Sequence, residues 1–474
     1  MVDQQKPTNS PETLNRTPIV IVLISAAFVA ILNQTLLTTA FPHIMRDLNI
    51  EANTVQWLQS VFMLVNGIMI PITAFLIDRF STRALFFTAM GLFGLGTFIS
   101  SIAPNFTVLL TGRVLQAAGA GIMMPLMQTI LFLIYPIDKR GSAMGMFGMV
   151  IAFAPAIGPT LSGWLVDQFP WRSLFYIVLP IVIIDLIVAY FLLKNITKQS
   201  YPKVDVVSII LSTFGFGGLL YGFSSAGTHT WTSGHVFISL IVGTISLTWF
   251  IFRQLKLEQP ILEFRVFKNK MFTITTVLGM VSFVAMIGAA VIMPIFMQDM
   301  LGFSAMKSGL TLMPGAIIMG IMSPITGRLF DKYGARWLAI IGLTIVVITT
   351  FMFANLSEQT SFIYMATVNG IRMFGIAMVM MPVTTAGLNQ LNPSLIPHGT
   401  AMNNTMRQVA GSVGTALLVT VMTNQSIPQE GIPGLIHGVN VSFIVAGIFA
   451  IIALILAFFV RNTQPKLETE TTEK

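Results

Sequence analysis

Four ionisable residues fall deep inside apolar stretches of this sequence: Arg113, Asp185, Arg372 and Arg407. A charged residue in mid-span costs roughly 3 kcal/mol to insert into a bilayer, so each is a candidate for function. Asp185 is the one acid among them. Apolar surroundings favour the protonated form of a carboxyl group and bring proton exchange towards neutral pH. Asp185 is therefore the leading candidate for a proton carrier, with Asp299, near the outer end of a later span, in reserve. The arginines either hold polar groups across a helical bundle or face a central cavity.

A second kind of chemistry is written twice. Pro71 to Leu85 reads PITAFLIDRFSTRAL, and Pro324 to Leu338 reads PITGRLFDKYGARWL, 253 residues later, with seven of fifteen positions identical. Each copy offers an acid, a base and a further Arg across a turn: Asp78, Arg79 and Arg83, then Asp331, Lys332 and Arg336. An Asp at a helix end can accept from the N-terminus of a neighbouring helix or pair with an Arg. Breaking that contact would open one side of the molecule. A shorter echo, Gly141-Ser-Ala-Met144 and Gly399-Thr-Ala-Met402, has an offset of 258. Repeats at a fixed long offset mean two halves built on one plan. In a membrane chain they mark a transporter that rocks one half against the other.

Composition supplies the elements that must hold these groups. Hydrophobic residues make up 54% of the 474 and charged residues 9%, against about 25% charged in soluble domains. Dividing by the roughly 20 residues that cross a bilayer gives an all-α integral membrane protein with fourteen spans. A tail (1–17) precedes six spans (18–195), two additional spans (204–253), a charged loop (254–270) that reads as an interfacial helix, six further spans (271–460) and a second tail (461–474). The first span serves as an uncleaved membrane signal. Of the 26 Lys and Arg, three lie in loops on one side (Arg46, Arg172, Lys307), three lie within spans, and the other 20 fall on the side of both termini. By the positive-inside rule that side is cytoplasmic, and the net charge of +8 is an orientation signal, not a sign of nucleic-acid binding.

Several chemistries are excluded. There is no cysteine, hence no disulfide or thiolate metal site. No Gly-Lys pair exists to cradle a nucleotide phosphate, and no His-Glu-x-x-His or Gly-x-Ser-x-Gly is present. The chain reads as a non-enzyme with no cofactor and no metal, driven by an ion gradient or by its substrate's own gradient. All five histidines (43, 229, 235, 398, 437) lie near loops and read as solvated. Asn33, Gln34, Thr38, Gln59, Gln116, Asn369, Asn403 and Asn404, with Arg113, Arg372 and Arg407, are the polar residues expected to line a cavity among 30 Met and 37 Phe. Methionine adapts to many shapes, which suits diverse amphiphiles.

These motifs resemble the major facilitator superfamily, and within it the fourteen-helix drug:proton antiporters. Ala74 to Arg83 and Gly327 to Arg336 look like the superfamily's gate motif, the second copy more closely. Arg113-Val-Leu-Gln116 is similar to its span-four motif. Pro155, Gly158, Pro159 and Gly163 resemble the antiporter signature of span five. Trp171-Arg172 resembles the opening of span six, and Gly399 to Gly411 that of span thirteen. Asn33 stands where many relatives carry Asp, which implies a weaker preference for cations. The resemblance implies two six-helix bundles plus two inserted helices, and a proton-coupled multidrug exporter in the plasma membrane. It would act as a monomer on small amphiphilic substrates and protons, with no nucleic-acid partner. The alternatives are an exporter of a lipid or a neutral or anionic metabolite, and a non-transporting scaffold or sensor.

Overall fold

The computed structural model describes residues 16–197, 199–226 and 231–461; most of both expected tails, and His229, lie outside the described residues. Fourteen long helices run through it: α1 (Arg16–Leu36), α2 (Ala52–Arg79), α3 (Thr82–Ser101), α4 (Phe106–Ile134), α5 (Arg140–Gln168), α6 (Ser173–Leu192), α7 (Val206–Ala226), α8 (Gly234–Lys256), α9 (Lys270–Ile295), α10 (Ala305–Tyr333), α11 (Ala335–Met352), α12 (Phe362–Leu388), α13 (Ile396–Gln425) and α14 (Ile432–Ala457). A short helix, Phe41–Leu48, continues α1 beyond a turn. Thirteen of the fourteen are long and apolar enough to cross a membrane on composition alone. The exception is α13, which carries His398, Asn403, Asn404, Arg407 and Gln408 and is nonetheless largely buried. A helix that polar can sit in a membrane only inside the protein.

Helix starts are fixed by side chains that satisfy free backbone N–H groups. Ser81, Asn105, Asn269, Ser304 and Ser361 accept these bonds at the starts of α3, α4, α9, α10 and α12. The charged loop after α8 departs from expectation. It is irregular over 257–263, with bends, and forms a short 3-10 helix, Phe264–Lys268, not an interfacial α-helix. Its Glu263 N–H and Leu262 N–H are taken up by side chains of α13 and α8, so the segment is held by tertiary bonds and has no need of a helix.

Helices α1–α6 form one bundle and α9–α14 the other; α5 packs on α10, and α2 on α13. The closest approach is between α5 and α10. A Cβ at Gly141 would overlap the Gly327 carbonyl, and one at Gly327 would overlap that of Gly141. Gly145 sits equally tightly on Ser323 and Pro324. Small residues are what let membrane helices touch backbone to backbone. The inserted pair, α7 and α8, is a hairpin whose α7 lies over the seam between α2 and α13. At its base Arg253 and Asp205 form an ion pair of 2.9 Å. Burial pushes the Asp205 carboxyl up, but Arg253 and Ser208 outweigh it and hold it below the usual carboxylate range.

Candidate functional site

The two repeated acids meet the opposite bundle in different ways. Asp331, at the end of α10, accepts hydrogen bonds from the backbone N–H of Gly141 at 2.7 Å and of Ser142 at 2.8 Å, and from the Ser142 hydroxyl. A carboxylate thus caps the N-terminus of α5, where free N–H groups and the helix dipole favour negative charge. Asp78, at the end of α2, reaches the start of α13, but meets a side chain there: its Oδ2 lies 3.1 Å from His398 Nε2. His398 Nδ1 accepts from the Glu263 N–H at 3.2 Å. That bond makes Nδ1 the acceptor, so Nε2 carries the proton and donates to Asp78. His398 is buried, at 7% exposure, which corrects the reading of every histidine as solvated. The repeat itself carried the signal: His398 precedes Gly399-Thr-Ala-Met402 as Arg140 precedes Gly141-Ser-Ala-Met144.

Three further bonds join the bundles: Arg140 to Asn389 at 2.9 Å, Thr129 with Thr400 at 2.8 Å, and Asn404 to Gln128 at 2.6 Å. Among the described residues, all side-chain hydrogen bonds between α1–α6 and α9–α14 lie toward the face that carries both termini. That face is closed. Gln128 and Thr129 had no signal of their own in the sequence, whereas Ser142 and Thr400 are matched positions of the shorter echo. The bases of the motif turn elsewhere: Arg79 donates to the Pro202 carbonyl and Arg83 to that of Tyr190, while Lys332 lies over the ring of Tyr333. Arg336 is exposed. Because one bond joins Asp78 to α13 and three join Asp331 to α5, His398→Ala is expected to loosen this face less than loss of Asp331. Alkylation of a cysteine placed at Thr400 checks the ranking.

The expected cavity residues separate into groups. In the first bundle, Arg113 donates to Asn33 at 2.7 Å and to Gln116 at 3.0 Å, and Gln116 donates to Thr97. The Arg113 guanidinium lies 4.3 Å over the ring of Phe62. All of this is buried inside the bundle. In the second bundle Arg372 donates to the Ala285 carbonyl and Arg407 to the Thr384 hydroxyl. None of the three arginines has a carboxylate partner among the described residues; the ion pairs of Arg and Lys there are Arg172–Asp47, Arg253–Asp205 and Arg265–Glu263. Arg113 Nη2, Arg372 Nε and Nη1, and Arg407 Nε have no hydrogen-bond partner. Asn369 and Asn403 are buried in the second bundle, Gln34 and Gln59 are half-buried, and Thr38 is exposed.

The span-five signature lies away from the closed seam. Gly158 packs on Thr35 of α1, Gly163 faces open space, and Pro155 and Pro159 are exposed. Asp185 is buried on α6, with Ser25 of α1 as its hydrogen-bonding neighbour. Ser25 also lines an apolar groove of about 540 Å3 between α1 and α5. Asp299 is exposed in the short π-helical segment, Phe296–Met300, that follows α9.

Comparisons with known proteins follow the same lines. The Major Facilitator Superfamily model matches residues 23–415. The MFS-type transporter YcnB of Bacillus subtilis (strain 168) is 55% identical over 471 residues, covering 98% of each chain. The lincomycin resistance protein LmrB of Listeria innocua is 41% identical over 97% of this chain and 100% of its own. The human organic anion transporter MFSD10 superposes with a TM-score of 0.69 at 12% identity, over 94% of this chain and 99% of that one.

Proposed function

Since the chain belongs to the major facilitator superfamily, a family of membrane transporters and not of enzymes, we propose that it exports hydrophobic amphiphiles, drugs among them, by proton antiport. The observation that carries this reading is the closed face. Two bundles are locked there by a carboxylate from one on a helix N-terminus of the other. Such a lock is releasable, and alternating access requires one. The similarity to a lincomycin resistance protein supports a drug as cargo. Transport into proteoliposomes under an imposed pH gradient tests the reading. Substrate movement that ignores the gradient would sink proton antiport, and none with any amphiphile would sink export.

A second reading, a neutral or anionic cargo, is favoured by one observation. Arg113, Arg372 and Arg407 are buried with no carboxylate beside them, and Asn33 takes the place of an acid. An unpaired buried charge costs several kcal/mol, and an acidic substrate would reduce that cost where a cationic one would add to it. Neutral and zwitterionic amphiphiles should therefore compete better than cations in a flux assay. Strong selectivity for dications would contradict this.

The closed face is assigned to the cytoplasm, with both termini, from the distribution of Lys and Arg. Since the chain has no cysteine, single reporters are clean. A membrane-impermeant maleimide added to intact cells should label Glu51→Cys and Thr232→Cys, and should label Tyr201→Cys only after permeabilisation. The reverse pattern would invert the topology.

A further inference from the structure

Between α2, α7, α8 and α13 lies a cavity of about 360 Å3, within the size range of pockets that hold small organic molecules. It opens in the half of the protein away from the closed face. Its walls are made partly by the two inserted helices, for which the transport reading above gives no role. We propose that this cavity is a binding site for planar, uncharged aromatic amphiphiles, completed by α7 and α8 and separate from the buried arginine clusters.

The site is built and not a packing gap. On its inner side Leu220 of α7 lies on Gly67 of α2, where a Cβ would collide with it. Gly218 of α7 and Gly243 of α8 are in backbone contact, which fixes the hairpin. At the outer end Trp231 Nε1 donates to the Thr420 hydroxyl of α13 at 2.8 Å, tying the hairpin to the second bundle. The walls are thus held to both bundles at once.

The lining dictates the ligand. Trp57 of α2 and Tyr221 of α7 are stacked at 5.9 Å with planes 20° apart. Trp57 is 42% exposed, so an aromatic face remains open on the cavity. Aromatic rings add affinity through offset stacking beyond their buried area. Gln56 of α2 and Gln408 of α13 also line the cavity and make no hydrogen bond within the protein among the described residues. They would fix the polar edge of a bound ring. No Asp, Glu, Lys or Arg lines the cavity. His235 is the one lining side chain that titrates near neutral pH; a cationic ligand would meet no counter-charge, and the desolvation of any charged ligand would count against binding. A neutral ring with hydrogen-bonding substituents fits.

Photolabelling in proteoliposomes tests the site without a gradient, and so without reliance on proton antiport. The probe is 7-azido-4-methylcoumarin, neutral and planar, with adducts mapped by mass spectrometry. Adducts should fall on the cavity segments of α2, α7 and α13. Trp57→Ala should raise the half-saturating probe concentration about tenfold, as loss of an aromatic contact implies. Leu220→Trp and Ser412→Trp each fill the cavity from a different helix and should remove the adducts, so one suffices if the other does not fold. Adducts confined to the lipid-facing surface, or indifferent to every one of these changes, overturn the proposal. If the adducts appear as stated but no amphiphile is transported, the site stands and the exporter reading falls.

Discussion

Asp331→Asn is expected to open the closed face and to lower transport at least about tenfold, with the protein still folded in the membrane. The carboxylate accepts from the Gly141 and Ser142 N–H groups and from the Ser142 hydroxyl. Asparagine keeps one acceptor oxygen and turns an NH2 group towards these donors. Hydrogen bonds to a charged group contribute roughly 1.5–3 kcal/mol each, so losing one shifts the balance of the two states by about ten- to a hundredfold. Alternating access needs those states nearly balanced, and a lock weakened that far leaves the carrier on one side. A cysteine at Thr400, buried between the bundles, should become reactive to maleimide in the variant. Gly141→Ala should act in the same direction through sterics alone, because its Cβ would overlap the Asp331 carboxylate and the Gly327 carbonyl. Normal flux and an unreactive Thr400→Cys in both variants would reduce the motif to a solvated turn.

The matched acids show how far the repeat was legible. Both lie at helix ends that face the other bundle, as the pattern at Asp78 and Asp331 requires. Their partners were not legible, because a repeat fixes position along a helix and leaves the facing residue open. In one copy the partner is a backbone N-terminus; in the other it is His398. The number of helices, α13 included, followed from apolar length, and the likeness of Gly399 to Gly411 to a family pattern agreed with it. Which way each helix faces was the least readable feature. Lipid is as apolar as a helix interface, so the hydrophobic pattern of a span does not separate its outer face from its inner one. In the sequence, Arg113, Asn33 and Gln116 therefore carry the same cavity expectation as Gln34 and Thr38. The structure buries the first three inside their bundle and leaves Thr38 exposed. Trp57 and Tyr221 gave no signal, because their relation exists only once α7 lies across α2.

Asp185→Asn is expected to abolish proton-driven accumulation while leaving substrate binding in place. The carboxylate sits on α6 beside lipid-facing Ile184 and Ile187, yet is itself only 6% exposed. Ser25 of α1 is its hydrogen-bonding neighbour, and Oδ2 has no partner among the described residues. It is outside the arginine clusters, so it can change charge without disturbing them. A charge in the membrane interior costs roughly 3 kcal/mol. That cost disappears when the group takes up a proton, and a conformation that brings water to the α1–α6 contact would let the proton leave. Asparagine copies the protonated state permanently, with nearly the same volume. The carrier should then bind and exchange substrate but ignore the pH gradient. Asp185→Glu keeps a titratable group one methylene away and should retain part of the coupling. A merely structural Asp185 gives a different pattern: Asp185→Asn would lower thermal stability and flux together, with binding lost in proportion. Thermal stability, substrate binding and proton-driven flux, measured on one purified preparation, separate the two. Full proton-driven flux in Asp185→Asn would remove it as the carrier and pass the role to Asp299 or to the acids at the closed face.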